Sequence, residues 1–152
     1  MTKRQKEKEL KSITLNTLAY GVAAKTNDRR SESIVADEEM HIVAIEHFIG
    51  VSAGGFVTDN GHILSESSDN PWVKWKEKGT GMEPTGTKGY FGYCGRDYYS
   101  EVGGINDVCV YESFPSGFFL VKKGKKLYMH CYAGNPTERQ IAFHHCVRLI
   151  YW

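Results

Sequence analysis

The sequence predicts a mainly β protein of the α+β class, with N-terminal helical segments followed by an antiparallel β-sheet domain. Sixteen glycines against four prolines are typical of a turn-rich β protein. Apolar residues near the N-terminus recur at helical spacing. Over residues 89–152, short aromatic and β-branched runs alternate with glycines. We therefore expect a helical attachment or neck region over 1–51 and a β domain over 52–152.

The first predicted helix lies within residues 2–26. Its polar face would be formed by alternating lysines and glutamates. Its apolar stripe would consist of Leu10, Ile13, Leu15, Leu18 and Val22. The polar cluster at 27–30 is suited to a turn and would end this helix.

The pattern of a second segment, 33–49, predicts a short helix, and Asp37 could cap its N-terminus. Four residues at heptad positions could pack against copies of the same helix and form an oligomer neck: Val35, Ile42, Ile45 and Ile49. The alternative is a strand, because 42–45 is rich in β-branched residues.

The β domain begins after a glycine-rich joint at 52–55. Apolar runs at 56–58 and 62–64 flank Asn60-Gly61, a pair that favours a hairpin because both residues tolerate positive φ. Further strands are predicted at 90–93, 108–111, 117–121, 126–132 and 141–152. Lysines at 122–126 indicate a charged hairpin between two of them.

Composition excludes several classes of function. The formal net charge of +1 gives no basic excess for a nucleic-acid partner. No apolar run is long enough for membrane insertion, and no signal peptide is recognisable. We expect synthesis in a reducing cytoplasm, with the four cysteines as thiols: Cys94, Cys109, Cys131 and Cys146.

The histidines and cysteines permit one metal hypothesis. If the strands around residues 130 and 145 pair, His130 or Cys131 could join His144 and Cys146 in binding zinc. The spacing lacks the paired ligands of specific zinc motifs. The G-x-S-x-G pattern at 50–54 is followed by strand-like sequence, whereas a nucleophile elbow requires a helix. We expect no enzyme activity, no metal and no cofactor.

Aromatic residues are the stronger functional signal. Tyrosines and tryptophans are enriched where one side of a ring is buried and the other meets a partner. The segment 95–99 combines arginine, aspartate and two tyrosines in a predicted loop. Candidate contacts with a ligand or receptor are Trp72, Trp75, Arg96, Tyr98 and Tyr99.

Residues 54–129 resemble segments of tail-fibre and related appendage proteins of tailed bacteriophages. The matching features are Gly54-Gly55-Phe56-Val57, the run at 67–75 that contains Trp72 and Trp75, Lys88-Gly89-Tyr90-Phe91-Gly92-Tyr93, Asp107-Val108-Cys109-Val110-Tyr111, Gly117-Phe118-Phe119-Leu120 and Gly124-Lys125-Lys126-Leu127-Tyr128. The resemblance implies a non-enzymatic homotrimer in the virion, made in the host bacterial cytoplasm. Its N-terminal region would contact other virion proteins, and its β-rich part a host surface glycan or protein. Two alternatives stay open: a soluble carbohydrate- or protein-binding module, and a small zinc-dependent enzyme.

Overall fold

The computed structural model describes residues 9–52, 55–69, 80–82, 90–100, 105–114 and 117–152. This part of the chain is all β, so the predicted α+β class with N-terminal helical segments is wrong. Its strands are β1 (Lys11–Asn16), β2 (Tyr20–Val22), β3 (Thr26–Val35), β4 (Met40–Ser52), β5 (Gly55–Ser65), β6 (Thr80–Met82), β7 (Tyr90–Ser100), β8 (Ile105–Ser113), β9 (Phe119–Val121), β10 (Lys126–Asn135) and β11 (Ile141–Tyr151). They form two antiparallel sheets.

Sheet A is organised around β11 and β4, which pair with each other along most of their length. The other side of β11 pairs with β1 and then with β2. The other side of β4 pairs with β9 near its start and with β8 further on. Sheet B has the order β3-β10-β5-β7-β6. Each sheet therefore combines strands from both sides of residue 51.

The core lies between the two sheets. Burial along β11 alternates residue by residue, which places Phe143, Val147 and Leu149 on the inner face. Leu127 and Met129 of β10 are equally buried in sheet B. The ring of Phe91 in sheet B stacks on that of Phe119 in sheet A at a centroid distance of 4.3 Å. Burial of each such side chain contributes roughly 1.5–3 kcal/mol to folding.

The first predicted helix is replaced by β1, a turn and β2. Ile13 and Leu15 are two residues apart and both point inward from β1. Leu18 lies in the turn with φ of 58° and is largely exposed, and Val22 points inward from β2. In β1 and β2, inward-facing and outward-facing residues alternate, and the turn between the strands shifts this alternation. The apolar residues of the two strands therefore have the spacing that is expected for one face of a helix.

The second predicted helix, at 33–49, is also wrong, because its four proposed neck residues lie in strands. Ile42, Ile45 and Ile49 lie in β4 and are almost completely buried in the core, whereas Val35 is exposed at the end of β3. The pairing of β4 with β11 shifts register at this point, because Tyr151 pairs with Ile42 and Ile150 with Ala44. This bulge returns Ile42 to the inner face three residues before Ile45, and the resulting spacing resembles that of a helix.

Two predicted hairpins take other forms. Asn60-Gly61 lies within β5, where pairing with both β7 and β10 shifts register just before these two residues, so they follow a bulge instead of forming a hairpin turn. The lysine-rich segment does turn at Gly124, whose φ is +89°. It joins β9 of sheet A to β10 of sheet B, so it connects the two layers. The later predicted strands are found in β7, β8, β9, β10 and β11.

Candidate functional site

The outer face of sheet A, which points away from sheet B, carries several large apolar side chains. One group lies near the C-terminus and is called here the aromatic patch: His41, Phe118, Leu120 and Trp152. The rings of His41 and Trp152 are stacked, with centroids 4.0 Å apart and planes 4° from parallel. Phe118 meets both rings edge-on, at 4.5 Å and 5.5 Å. Leu120 pairs with His41 across β9 and β4 and is 39% exposed.

Backbone hydrogen bonds hold this patch in place. The amide of His41 donates to the carbonyl of Trp152 at 2.9 Å, and the amide of Trp152 donates in return to the carbonyl of His41 at 3.2 Å. The last residue of the chain is thereby fixed to the start of β4. A stacked pair held at both backbone groups presents a rigid apolar surface, and rigid aromatic contacts lose little entropy when they bind.

The other end of this face contains a cleft of about 320 Å³. Phe48 lies in its middle, with Cys146 of β11 and Cys109 of β8 as its register partners on either side. Tyr111 lies on the outermost strand and is 61% exposed. Burial raises the pKa of the Cys146 thiol, which favours its neutral form. The cleft is lined by Glu46, His47, Phe48, Cys109, Val110, Tyr111, Cys146 and Arg148.

An ion pair lies between these two apolar areas. The Arg148 Nε donates to Glu46 Oε2 at 2.9 Å, and Arg148 Nη2 donates to Glu46 Oε1. Both side chains are close to half exposed. The outer face thus combines apolar surface with one fixed positive and one fixed negative group, an arrangement typical of protein interfaces.

A different group lies between the two sheets and is called here the histidine cluster: His47, His62 and His145. All three rings are buried between the sheets, with His47 on β4, His62 on β5 and His145 on β11. His47 Nδ1 and His62 Nε2 are 2.9 Å apart, so one ring donates a hydrogen bond to the other. The His145 ring lies 5.8 Å from both the His62 ring and the Tyr20 ring.

The remaining ring nitrogens of the cluster have no hydrogen-bond partner among the described residues. They are His47 Nε2, His62 Nδ1 and both nitrogens of His145. Burial lowers the pKa of His47 to about 4 and that of His145 to about 3. Burial, together with the neighbouring histidines, also holds the pKa of His62 well below its usual value. The rings are therefore neutral at pH 7.

The structure separates the residues of the zinc hypothesis. His130 lies in sheet B, where its ring bonds to the Ser31 hydroxyl and the Ser67 carbonyl. Cys131 is buried in the core, whereas His144 and Cys146 lie on the outer face of sheet A. Strands β10 and β11 belong to different sheets, so the pairing on which the hypothesis depended is absent. In the described part of the chain, no three His, Cys, Asp or Glu side chains are placed to share a metal ion.

The predicted ligand contacts are placed only in part. Trp72 and Trp75 lie outside the described residues. Arg96, Tyr98 and Tyr99 lie in β7, opposite Asn60, Val57 and Phe56 of β5, so they belong to a strand and not to the predicted loop. Their role in binding stays a prediction.

Sequence reasoning missed the histidine cluster. His47 alternates with Ile45 and Ile49, and His145 with Phe143 and Val147, so each histidine occupies a position of the inward-facing pattern. That signal depends on reading 40–52 as a strand. That these three histidines lie close together could not be predicted, because their contact depends on how three strands from two sheets pack against each other.

Comparison with known proteins gives weak similarities. No protein-family model matches the chain, and no curated protein matches it. The crystal structure of decameric BFDV capsid protein is similar with a TM-score of 0.37 and 12% identity, over 94% of this chain and 98% of that chain. A structure of Desmodium yellow mottle tymovirus has a TM-score of 0.30 and 7% identity, over 94% and 89%. Both scores are low, and neither similarity assigns a fold family or a function to this chain.

The described strands and turns were also compared with the requirements for a membrane-spanning helix. Within the described ranges, the chain has no helix with the length and apolar character needed to cross a bilayer.

Proposed function

We propose that this chain is a non-enzymatic structural subunit of a virion that assembles with copies of itself through the outer face of sheet A. The exposed apolar surface of that face, from the aromatic patch to the Phe48 cleft, is the observation that supports assembly. The resemblance of residues 54–129 to phage appendage segments supports a place in a virion.

The outer face has the properties of a contact surface between copies. Trp152 and Phe118 are large aromatic groups of the kind that supply most of the energy of protein interfaces. Tyr111 and Leu120 are exposed on the outermost strands of sheet A, where a facing subunit would cover them. Exposed apolar side chains that are concentrated on one face of a protein favour a partner there.

The Glu46–Arg148 pair favours a copy of the same chain as that partner. In a symmetric contact the same patch meets itself, so each carboxylate could approach the guanidinium of the other subunit. The pair sits between the two apolar areas and would fix the register of such a contact.

A finer version of the proposal places the subunit in a fibre that contacts the host surface. In that version Trp72, Trp75, Arg96, Tyr98 and Tyr99 would contact a glycan or protein. The assembly would be a trimer, in which two different parts of the outer face meet around a threefold axis instead of one patch meeting itself. The contrasting function is a soluble binding module, which would use the same residues as a monomer.

The test is the molecular mass in solution, measured by sedimentation over a range of concentrations. The double variant Tyr111→Lys/Leu120→Lys places two charges on the outer face without altering the core. We expect the wild-type chain to form a defined oligomer at micromolar concentration and the double variant to remain a monomer. Val35→Lys is the matched control, because Val35 is an exposed apolar residue on sheet B.

Three outcomes decide the proposal. Loss of the oligomer in the double variant but not in Val35→Lys supports it. A wild-type chain that stays monomeric at all concentrations overturns it and favours the binding module. An oligomer that survives in the double variant overturns the assignment of the contact to this face.

A further inference from the structure

We propose that His47, His62 and His145 form an acid-sensitive junction between the two sheets, which holds the sandwich closed when the three rings are neutral and opens it when they take up protons. This inference concerns the fold itself and stands whether or not the chain assembles.

The geometry of the His47–His62 pair limits the protons that the folded state can hold. Their facing nitrogens are 2.9 Å apart, so one must carry hydrogen and the other must accept. A proton on either remaining nitrogen places a charge in a buried site where the described residues supply no hydrogen-bond acceptor for it. A second proton gives both facing nitrogens a hydrogen, and the contact must then break.

The pair also joins the layers directly. His47 belongs to β4 of sheet A and His62 to β5 of sheet B. Breaking this bond therefore acts across the sandwich and not along one sheet. His145, which comes from the central strand β11, adds a third buried ring in contact with His62.

The groups around His145 do not compensate for a charge on it. From β2, Tyr20 faces it with a neutral ring, since burial raises the pKa of the Tyr20 hydroxyl. From β3, Arg30 and Asp28 are near, but their bidentate pair cancels most of their charge. The Arg30 guanidinium lies 3.6 Å from the Tyr20 ring centroid. Burial lowers the pKa of His145 most, and the adjacent His144 and then Arg30 lower it further. Asp28 acts in the opposite direction with a smaller effect.

Among the residues that the structure describes, no carboxylate is bonded to the ring of His62 or of His47. Cys131 on β10 and Cys94 on β7 are the register partners of His62, and burial raises the pKa of the Cys131 thiol. Glu32 on β3 acts on Cys131 and has no bond to either ring among the described contacts. The register partners of His47 are Val147 on β11 and Val110 on β8, both apolar.

The direction of the pH effect follows from these surroundings. The pKa values of the three rings are lowered in the folded state, so the unfolded chain binds more protons below its ordinary histidine pKa of about 6.5. The stability that the neutral rings provide is complete above about pH 6.5. It is lost as the pH falls toward about 4, the folded value of His47. Carboxylates change the stability mainly at lower pH, near their own pKa values of about 4.

The test is urea unfolding of the full chain at several pH values between about 7 and 5, at two protein concentrations. Each ring that is neutral when folded and charged when unfolded raises the unfolding constant by about tenfold per pH unit below about 6.5. We expect the slope to indicate uptake of two to three protons on unfolding. His47→Gln keeps a bonding group toward His62, and His145→Phe replaces a ring without a hydrogen-bond partner among the described residues. Each variant should reduce the uptake by about one proton.

His144→Gln is the matched control, because His144 is adjacent in sequence but lies on the outer face. It should leave the slope unchanged. If the inner variants fail to fold, proton NMR of the wild-type histidine rings decides: the three rings should stay neutral until the chain unfolds cooperatively. Rings that titrate near their ordinary pKa in a chain that remains folded would overturn the proposal, as would variant slopes equal to the wild-type slope.

Discussion

At the scale of single residues, Asn135 shows how one buried amide joins separate segments. Its Nδ2 donates to the carbonyls of Val22, Ala23 and Arg139, at 2.8–3.2 Å. Its Oδ1 accepts from the amide and the hydroxyl of Thr137. Asn135 is 1% exposed, so water cannot replace these partners. It therefore ties the end of β2 and the turn before β11 to the end of β10.

Replacing this amide tests that role. Asn135→Ala leaves several carbonyls without a donor and should lower the free energy of unfolding by about 2–3 kcal/mol. The measurement is urea unfolding followed by circular dichroism. Asn16→Ala is the control. The Asn16 oxygen accepts from the Leu18 amide and bonds to the His144 ring, but Asn16 is exposed, so water can replace it. This variant should cost less than about 1 kcal/mol. Equal losses in the two variants would contradict the assignment.

At the scale of elements, periodicity decided which predictions were correct. The run at 141–152 is unambiguous, because burial alternates residue by residue along β11. The run at 126–132 was recognisable as a strand from its aromatic residues, although both faces of β10 are buried beyond Met129. The prediction of helices in the N-terminal part was wrong because the turn at Leu18 and the bulge opposite Ile150 each shift the alternation of inward-facing and outward-facing residues. Period two with one displacement gives the spacings of three and four residues that otherwise indicate a helix. The apolar character of Ile42 and Ile45 was predictable, but which face they share was not.

Two leucines at β1 and the turn that follows it distinguish the strand arrangement from the predicted helix. Leu15 and Leu18 would occupy the same stripe of a helix, but in the structure Leu15 is buried and Leu18 is 67% exposed. Leu15→Ala should cost about 2–4 kcal/mol, because it leaves a cavity between the sheets. Leu18→Ala should change the free energy of unfolding by less than about 0.5 kcal/mol. Thermal unfolding of both variants gives the comparison; similar losses would instead favour the helical arrangement.

At the scale of the whole molecule, partners distant in sequence dominate. Strand β1 pairs with β11, and β3 pairs with β10, so the two ends of the described chain close the two sheets together. The candidate site follows the same rule: the aromatic patch joins β4 to the C-terminus, and the histidine cluster joins three strands. The sequence shows that single residues such as Trp152 are aromatic, but their neighbours depend on the strand order. Strand order is set by the packing of the whole chain.

Such a topology predicts slow folding. Loops of most of the chain length must close before β1 and β11 can pair, and this entropy is lost before the contacts form. We expect refolding in about milliseconds to seconds, as for other proteins rich in non-local strand pairs. Stopped-flow fluorescence, with the tryptophans as probes, measures the rate above pH 7. A relaxation within microseconds would contradict this topology.

The central position of β11 in sheet A also bears on synthesis at the ribosome. Strand β11 is translated after every strand with which it pairs, because its partners β1, β2 and β4 all lie before residue 53. At about 5–20 residues per second, those strands wait on the order of ten seconds for it. During that time the apolar residues Ile45 and Ile49 of β4 lack their partner strand. The nascent chain should therefore bind chaperones that recognise unpaired apolar strands, and it should release them only once β11 has emerged.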